Sequence, residues 1–229
     1  MSSKEQRIIG PEGEIGMNVA IFGASGATGR LLTENSLAAG HTVTALVRNL
    51  AAFSLRSCVR VVEGSVFDLP AVLRTLEGVD AVFSALGAHS PFRNEKVLPR
   101  AVPVIVQAMQ QAGIRRIIAL GSAGALPDSL QNQPAWQRWI VQKIVCPFFL
   151  KWLVYEQVVQ YSVLSASDLD WTMVMPPMLT NGSARGAYRV NGEALPAGSN
   201  HLSRADVAGF MMQQLAGSEW IRRGVYIGN

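Results

Sequence analysis

Near the start of the chain stands the run Gly23-Ala24-Ser25-Gly26-Ala27-Thr28-Gly29, three glycines at a spacing that suits an anion. It follows the apolar stretch Val19-Ala20-Ile21-Phe22, which reads as a buried strand, and leads into Arg30 to Leu37, whose apolar spacing reads as a helix. Strand, glycine turn and helix N-terminus in that order make a site for a phosphate. Gly23 permits the tight turn, Gly26 lets the backbone approach a pyrophosphate, and Gly29 lets helix and strand pack closely. The unpaired N–H groups and the positive end of the helix dipole then face the anion. The pattern predicts dinucleotide binding; the alternative is a structural turn in an α/β domain.

The next such residue is Arg48, at the end of the strand Thr42 to Val47. A ribose 2′-hydroxyl is bound by an acidic residue roughly 20 positions past the glycines. Here no Asp or Glu lies between Glu34 and Glu63, and Arg48 takes that place. A guanidinium can hold a 2′-phosphate in fork geometry, where a carboxylate would repel it. NADP(H) is therefore expected over NAD(H), unless Arg48 is only a solvated loop cation. Further on, Gly121-Ser122-Ala123-Gly124 follows an apolar strand but lacks the Gly-x-Ser-x-Gly spacing of a hydrolase elbow, and no Ser-His-Asp arrangement is readable around it.

These residues need a scaffold, and the pattern around them supplies one. Val59 to Glu63, Asp80 to Leu86, Arg115 to Leu120 and Trp171 to Met175 read as strands of near-continuous apolar character. Between them lie helical stretches at Leu69 to Leu76, with Asp68 as N-cap and Pro70 in the first turn, and at Lys96 to Ala112, ending at Gly113. Alternation of this kind predicts an α/β fold: a doubly wound parallel sheet of the Rossmann type in one domain, with its ligand across the carboxyl ends of the strands. Toward the C-terminus the sequence predicts a short strand at Gly186 to Val190, a capping box at Ser203-Arg204-Ala205-Asp206 on a helix through Leu215, and a last strand near Gly224 to Ile227.

With 229 residues, of which 49% are apolar and 16% charged, the chain suits one sizeable core. A net charge of +4, scattered along the chain, gives no argument for nucleic acid. Two distant cysteines and three unrelated histidines predict neither a disulfide framework nor a metal centre. Residues 1–16 read as a loose tail or extension ahead of a domain at 17–229, and the polar start lacks a signal peptide, so a cytoplasmic protein is expected. The stretch 131–165 is helical and unusually apolar, but Lys143, Pro147 and Lys151 interrupt it, which argues against a transmembrane span. From Trp136 to Val154 it reads as a core helix with a broken lead-in, as the wall of an aromatic substrate pocket, or as a dimer or membrane-surface contact. A monomer or a homodimer is expected.

The chain resembles the atypical short-chain dehydrogenase/reductases, NAD(P)-binding and NmrA-like. The resemblance is carried by Gly23 to Gly29, Val47-Arg48, Gly64-Ser65-Val66-Phe67-Asp68, Leu120-Gly121-Ser122, Asp170 to Pro177 and Leu202 to Ala208. Within that group it looks most like the biliverdin reductase B, or flavin reductase, branch, through Val174-Met175-Pro176-Pro177 and Gly186-Ala187-Tyr188. The resemblance implies that Gly23, Ser25, Gly26, Ala27, Thr28, Gly29 and Arg30 hold the pyrophosphate. It puts Arg48 on the 2′-phosphate, Asp68 beside the adenine with Val66 and Phe67, and Leu86 and Gly87 along the cofactor. Ser122 falls beside the nicotinamide, and Pro176 and Pro177 fall where the backbone meets the carboxamide. Two departures stand out: Met178 and Gln157 take the places where that branch keeps histidines.

The wider superfamily works through a Tyr-x-x-x-Lys pair, and this chain lacks it: Val159, Ser165 and Gly192 stand four places after Tyr155, Tyr161 and Tyr188. Tyr155 is kept as a weak acid candidate and Ser122 as a candidate hydrogen-bond donor, or as a small residue packed at a strand end. A nicotinamide site without a protein acid suits acceptors that delocalise charge and take their proton from water. The expected activity is NADPH-dependent reduction of a planar conjugated small molecule: a flavin (as substrate), a quinone or a tetrapyrrole such as biliverdin. The alternatives are a non-catalytic NADP(H)-binding redox sensor and a carbonyl reductase or isomerase.

Overall fold

The strand Asn18–Phe22 (β1) is wholly buried beyond Asn18, because its apolar run lies between helices on both sides. The computed structural model describes residues 16–88, 93–126 and 128–229, with Phe148 and Phe149 described by their backbone alone; residues 1–15 of the expected tail lie outside it. Helix α1 (Ala27–Ala38) returns the chain to β2 (Thr42–Val47), and β3 (Arg60–Glu63), α2 (Leu69–Thr75), β4 (Ala81–Ser84), α3 (Val97–Ala112) and β5 (Arg116–Leu120) repeat the pattern. After α4 (Ala135–Ile140), a π-helical segment (Val141–Phe149) and α5 (Lys151–Ala166) come β6 (Asp170–Met175), β7 (Met178–Thr180), β8 (Arg189–Asn191), β9 (His201–Ser203), α6 (Arg204–Gln213) and β10 (Arg223–Gly228).

The sheet order among the described residues is β3-β2-β1-β4-β5-β6-β10-β8, with β8 antiparallel on the edge and the other strands parallel. Order reverses between β1 and β4, so the crevice of the doubly wound fold opens past Phe22 and Ser84. One core layer joins α2, α3 and α5 to the sheet through Val72, Leu98, Ile105 and Leu164; the other joins α1 and α6 through Leu32, Val207 and Met211. The fully buried Glu156 carboxylate of α5 accepts from the N–H groups of Val97 and Leu98, satisfying the start of α3.

The helix expected over 131–165 starts at Ala135, changes from α to π pitch after Ile140 and breaks once, at Leu150, and Pro147 supplies a physical reason for the break. Pro147 has no N–H to donate, and the chain resets so that Leu150 N–H reaches back five residues to Val145 O at 3.0 Å. β7 and β9 pair in a small separate sheet that the periodicity did not predict; three-residue strands are too short for it to register.

Asp206 ties the C-terminal part together. Ser203 Oγ accepts from Asp206 N–H, as the capping box predicts, and the Asp206 carboxylate accepts from the N–H groups of Arg185 and Gly186, each at 2.8 Å, and from the Ser203 hydroxyl. Burial alone would raise this carboxyl; the Ser203 hydroxyl and the two N–H groups outweigh it, and its pKa lies below the ordinary value. A depressed folded pKa gives stability that is present above the unfolded value near ~3.9 and is lost as pH falls through the folded one. Asp206→Asn is therefore expected to cost about 1–3 kcal/mol at neutral pH in urea unfolding, and its deficit against the parent should shrink as pH falls below ~4.

Candidate functional site

The turn after β1 is built by a close approach that only glycine permits. Gly23 has φ +86°, and a Cβ there would lie 2.6 Å from Ala85 O, in the loop beyond β4. A Cβ on Gly29 would run into the Gly23 carbonyl. Gly26 N–H donates to Gly23 O at 2.9 Å, and Arg30 N–H closes the first helical bond to Gly26 O at 2.8 Å. Gly26 is the N-cap of α1, without a side-chain cap and without an acidic residue in the first turn. The helix therefore begins with N–H groups at Ala27, Thr28 and Gly29 that no side chain among the described residues caps. A cradle that a Cβ would fill, at a helix N-terminus, fits a pyrophosphate.

Arg48 stands exposed directly after β2, beside the turn through the Phe22–Leu46 register. Glu63 at the end of β3 accepts from Leu50 N–H at 3.2 Å and so fastens the loop that carries Arg48. Sequence distance hid this partner, whereas the parallel register of Val47 with Glu63 places it. Asp68 is the exposed N-cap of α2 but makes no side-chain cap bond, and the Arg100 guanidinium lies 4.1 Å from the centre of the Phe67 ring. Past β4, Leu86 is half-buried and Gly87 has open space where a side chain would be. Ser84 Oγ at the end of β4 is, among the described residues, the one buried side-chain oxygen without a hydrogen-bond partner.

Beyond β5 the chain makes a second tight passage. Gly121 N–H donates to Val174 O at 2.7 Å and Ala123 N–H to Pro176 O at 2.8 Å, so the Ser122 loop and the Pro176-Pro177 loop lie side by side. A Cβ on Gly121 would meet Met173 Cε at 2.6 Å. Ser122, half-buried, donates to Ala123 O at 3.2 Å. A cleft of about 40 Å³ adjoins it, lined by Ser122, Ala123, Gly124, Ala125, Val141, Cys146, Leu150, Leu153, Val154 and Gln157. Gln160 donates to Leu120 O at 3.0 Å and to Gln157 Oε1 at 3.1 Å, which orients the buried Gln157 amide. Burial pushes the Cys146 thiol pKa up, which keeps it protonated.

Tyr155 is 44% exposed and does not line this cleft; Met178 is 71% exposed at the start of β7. The segment 136–154 does wall the cleft, through aliphatic side chains; Trp136 and Trp139 point outward, and the side chains of Phe148 and Phe149 lie outside the described residues. A larger groove of about 860 Å³, between Val190, Phe210, Trp220 and Arg223, opens at the amino end of β10, away from the glycine turn. Among the described residues no cluster of His, Cys, Asp or Glu could hold a metal, and no helix is long and apolar enough to cross a membrane.

A family model described as NAD(P)H-binding matches residues 23–217. Over 110 residues the chain is 33% identical to the protein YwnB of Bacillus subtilis, a match covering 48% of this chain and 49%, about half, of that one. It is 25% identical over 213 residues to the oxidoreductase tpcG of Aspergillus fumigatus, covering 86% of this chain and 77% of the relative. Among solved structures, a short-chain dehydrogenase/reductase of Veillonella parvula in complex with NADP aligns with TM-score 0.74 at 21% identity, covering 93% of this chain and 94% of that chain.

Gly23→Ala tests the turn. The substituted residue would carry a strained backbone costing about 1–3 kcal/mol besides the clash with Ala85 O. Thermal unfolding should report the loss and dinucleotide titration a weakening of at least about tenfold, the equivalent of 1.4 kcal/mol. Gly182→Ala, which meets nothing within 4 Å, should leave both unchanged.

Proposed function

The chain belongs to the NAD(P)H-binding family, and from that premise we propose that it is an NADPH-dependent reductase of planar conjugated acceptors, with a flavin as the first candidate substrate. The observation that carries the reading is the lining of the cleft beside Ser122. Its polar side chains among the described residues are a hydroxyl, an amide and a thiol that burial keeps protonated, with no carboxylate, imidazole, phenol or ammonium. Such a wall can orient an acceptor and exclude water, but it offers no strong acid.

In this reading the N–H groups of Ala27, Thr28 and Gly29 hold the pyrophosphate, Arg48 holds the 2′-phosphate, and Asp68 with Phe67 borders the adenine. Leu86 and Gly87 give passage to the central part, and Pro176 and Pro177 face the carboxamide. The bound nicotinamide supplies a hydride. Ser122 donates a hydrogen bond to the acceptor or to the carboxamide once its weak bond to Ala123 O is given up. Gln157, held by Gln160, offers an oriented amide at the other wall. Val141, Leu150, Leu153 and Val154 supply apolar contact for a flat ring system. A conjugated acceptor spreads the negative charge that arrives with the hydride and takes the one proton that completes its reduction from solvent, so no residue of the chain needs to titrate.

At about 40 Å³ the cleft is too small for a flavin ring, so this reading includes an opening of the cleft on binding, with the π-helical segment as the wall that yields. A wall that stays shut would leave a dinucleotide sensor without turnover.

Two measurements test this. Arg48→Ala is expected to weaken NADPH by about 1–3 kcal/mol and leave NADH within about twofold, since the lost bond is charge-assisted and specific to the 2′-phosphate. Equal affinity of the parent for both dinucleotides would refute the cofactor choice. NADPH oxidation should be seen with flavins, quinones or biliverdin and not with simple ketones; ketone turnover alone points to a carbonyl reductase, and none with any acceptor points to the sensor.

A further inference from the structure

The helical segment before α5 is apolar on two faces, and the cleft accounts for only one of them. Val141, Cys146 and Leu150 face the cleft. On the other side Trp136, Trp139, Ile140 and Ile144 are exposed, the tryptophans at 67% and 59%. Steps of three, one and four residues set these side chains in one stripe along α4 and the first turn of the π-helical segment. An apolar stripe that is not in the core is covered by a protein partner or by a lipid boundary.

The charges around the stripe decide between occupants. No Asp or Glu stands between Asp128 and Glu156, whereas Arg138, Lys143 and Lys151 do. Lys143 and Lys151 are exposed, with the Lys151 ammonium 5.1 Å from the centre of the Trp152 ring. Glu156 gives the face no negative charge, being fully buried with its carboxylate on the N–H groups of Val97 and Leu98. A second copy meeting this face across a two-fold axis would bring like charges together. An anionic lipid surface offers the complement: phosphates for the cations and a headgroup layer in which tryptophan rings sit with their N–H wet and their body dry.

We propose that the face carrying Trp136, Trp139, Ile140 and Ile144 docks on a bilayer surface rich in anionic phospholipid. The helix lies in the plane of the surface with its tryptophans at headgroup depth and its lysines reaching outward. Because the inner face of the same helix walls the cleft beside Ser122, docking holds that cleft at the lipid boundary.

The test is co-sedimentation of the full chain with vesicles of mixed phosphatidylglycerol and phosphatidylcholine, with phosphatidylcholine alone as comparison and light scattering of the lipid-free chain alongside. Binding to the anionic vesicles is expected at low salt, falling at least about tenfold at ~0.5 M salt, where screening is nearly complete, and equally for phosphatidylcholine alone. Trp136→Ala with Trp139→Ala should reduce binding by a similar factor at unchanged unfolding midpoint, and Lys143→Glu with Lys151→Glu should do the same by reversing the charge. Three results would overturn the proposal: no binding to anionic vesicles at low salt, variants that bind like the parent, or a lipid-free dimer that the tryptophan substitutions dissociate.

Discussion

The contact on which the rest of the proposed site depends is the seating of α1 on the end of β1. Gly29 lies against the Gly23 carbonyl so closely that no Cβ fits, and Gly23 in turn lies against the backbone at Ala85. These approaches bring a helix N-terminus, with its unclaimed N–H groups, to the point where the strand order reverses. An anion is favoured there by geometry and by the helix dipole together. Once that point is fixed, the parallel registers of β2 and β4 with β1 set Arg48 on one side of it and Leu86 and Gly87 on the other.

The second half of the chain answers a different demand. Beyond β5 it must cover the apolar carboxyl end of the sheet while leaving room for a substrate. It does so with a polar stripe on the inner side of α5: Glu156 satisfies the start of α3, Gln160 bonds Leu120 O, and Gln157 is held by Gln160. Breaking a buried hydrogen bond of this kind costs more than making it gains, so α5 has one well-defined position. The segment before it is the opposite case. Its ladder is reset around Pro147, α4 buries none of its residues, and its exposed face is apolar. In the proposed function, it is this outer segment, not α5, that yields when the cleft opens.

The glycine turn and the doubly wound order were legible from the sequence because their signals are local. A strand, a glycine turn and a helix fall within consecutive residues, and the doubly wound order follows from alternation of apolar runs with helical ones. Asp68 as N-cap, Gly113 as left-handed C-cap and Ser203 with Asp206 all stand where local rules put them. The substrate half was not legible to the same degree. Gln157 and Glu156 face inward only because α5 is oriented by partners more than 30 residues away, which no spacing rule reports. Glu63 meets the Arg48 loop through strand register, and periodicity does not report that Trp136 and Trp139 on α4 are exposed while Val141, Leu150, Leu153 and Val154 face the cleft.

In the proposed function, reduction proceeds without a protein acid. The most direct test is the pH dependence of single-turnover NADPH oxidation by the acceptor that proves active, followed by stopped-flow absorbance with the dinucleotide saturating. A cleft whose polar groups are a hydroxyl, an amide and a thiol raised by burial predicts a rate that is flat from about pH 6 to 8, below the range in which such a thiol ionises. A rate that falls with a single pKa in that window, and loses that dependence in Tyr155→Phe, would contradict the account and identify the phenol as the acid.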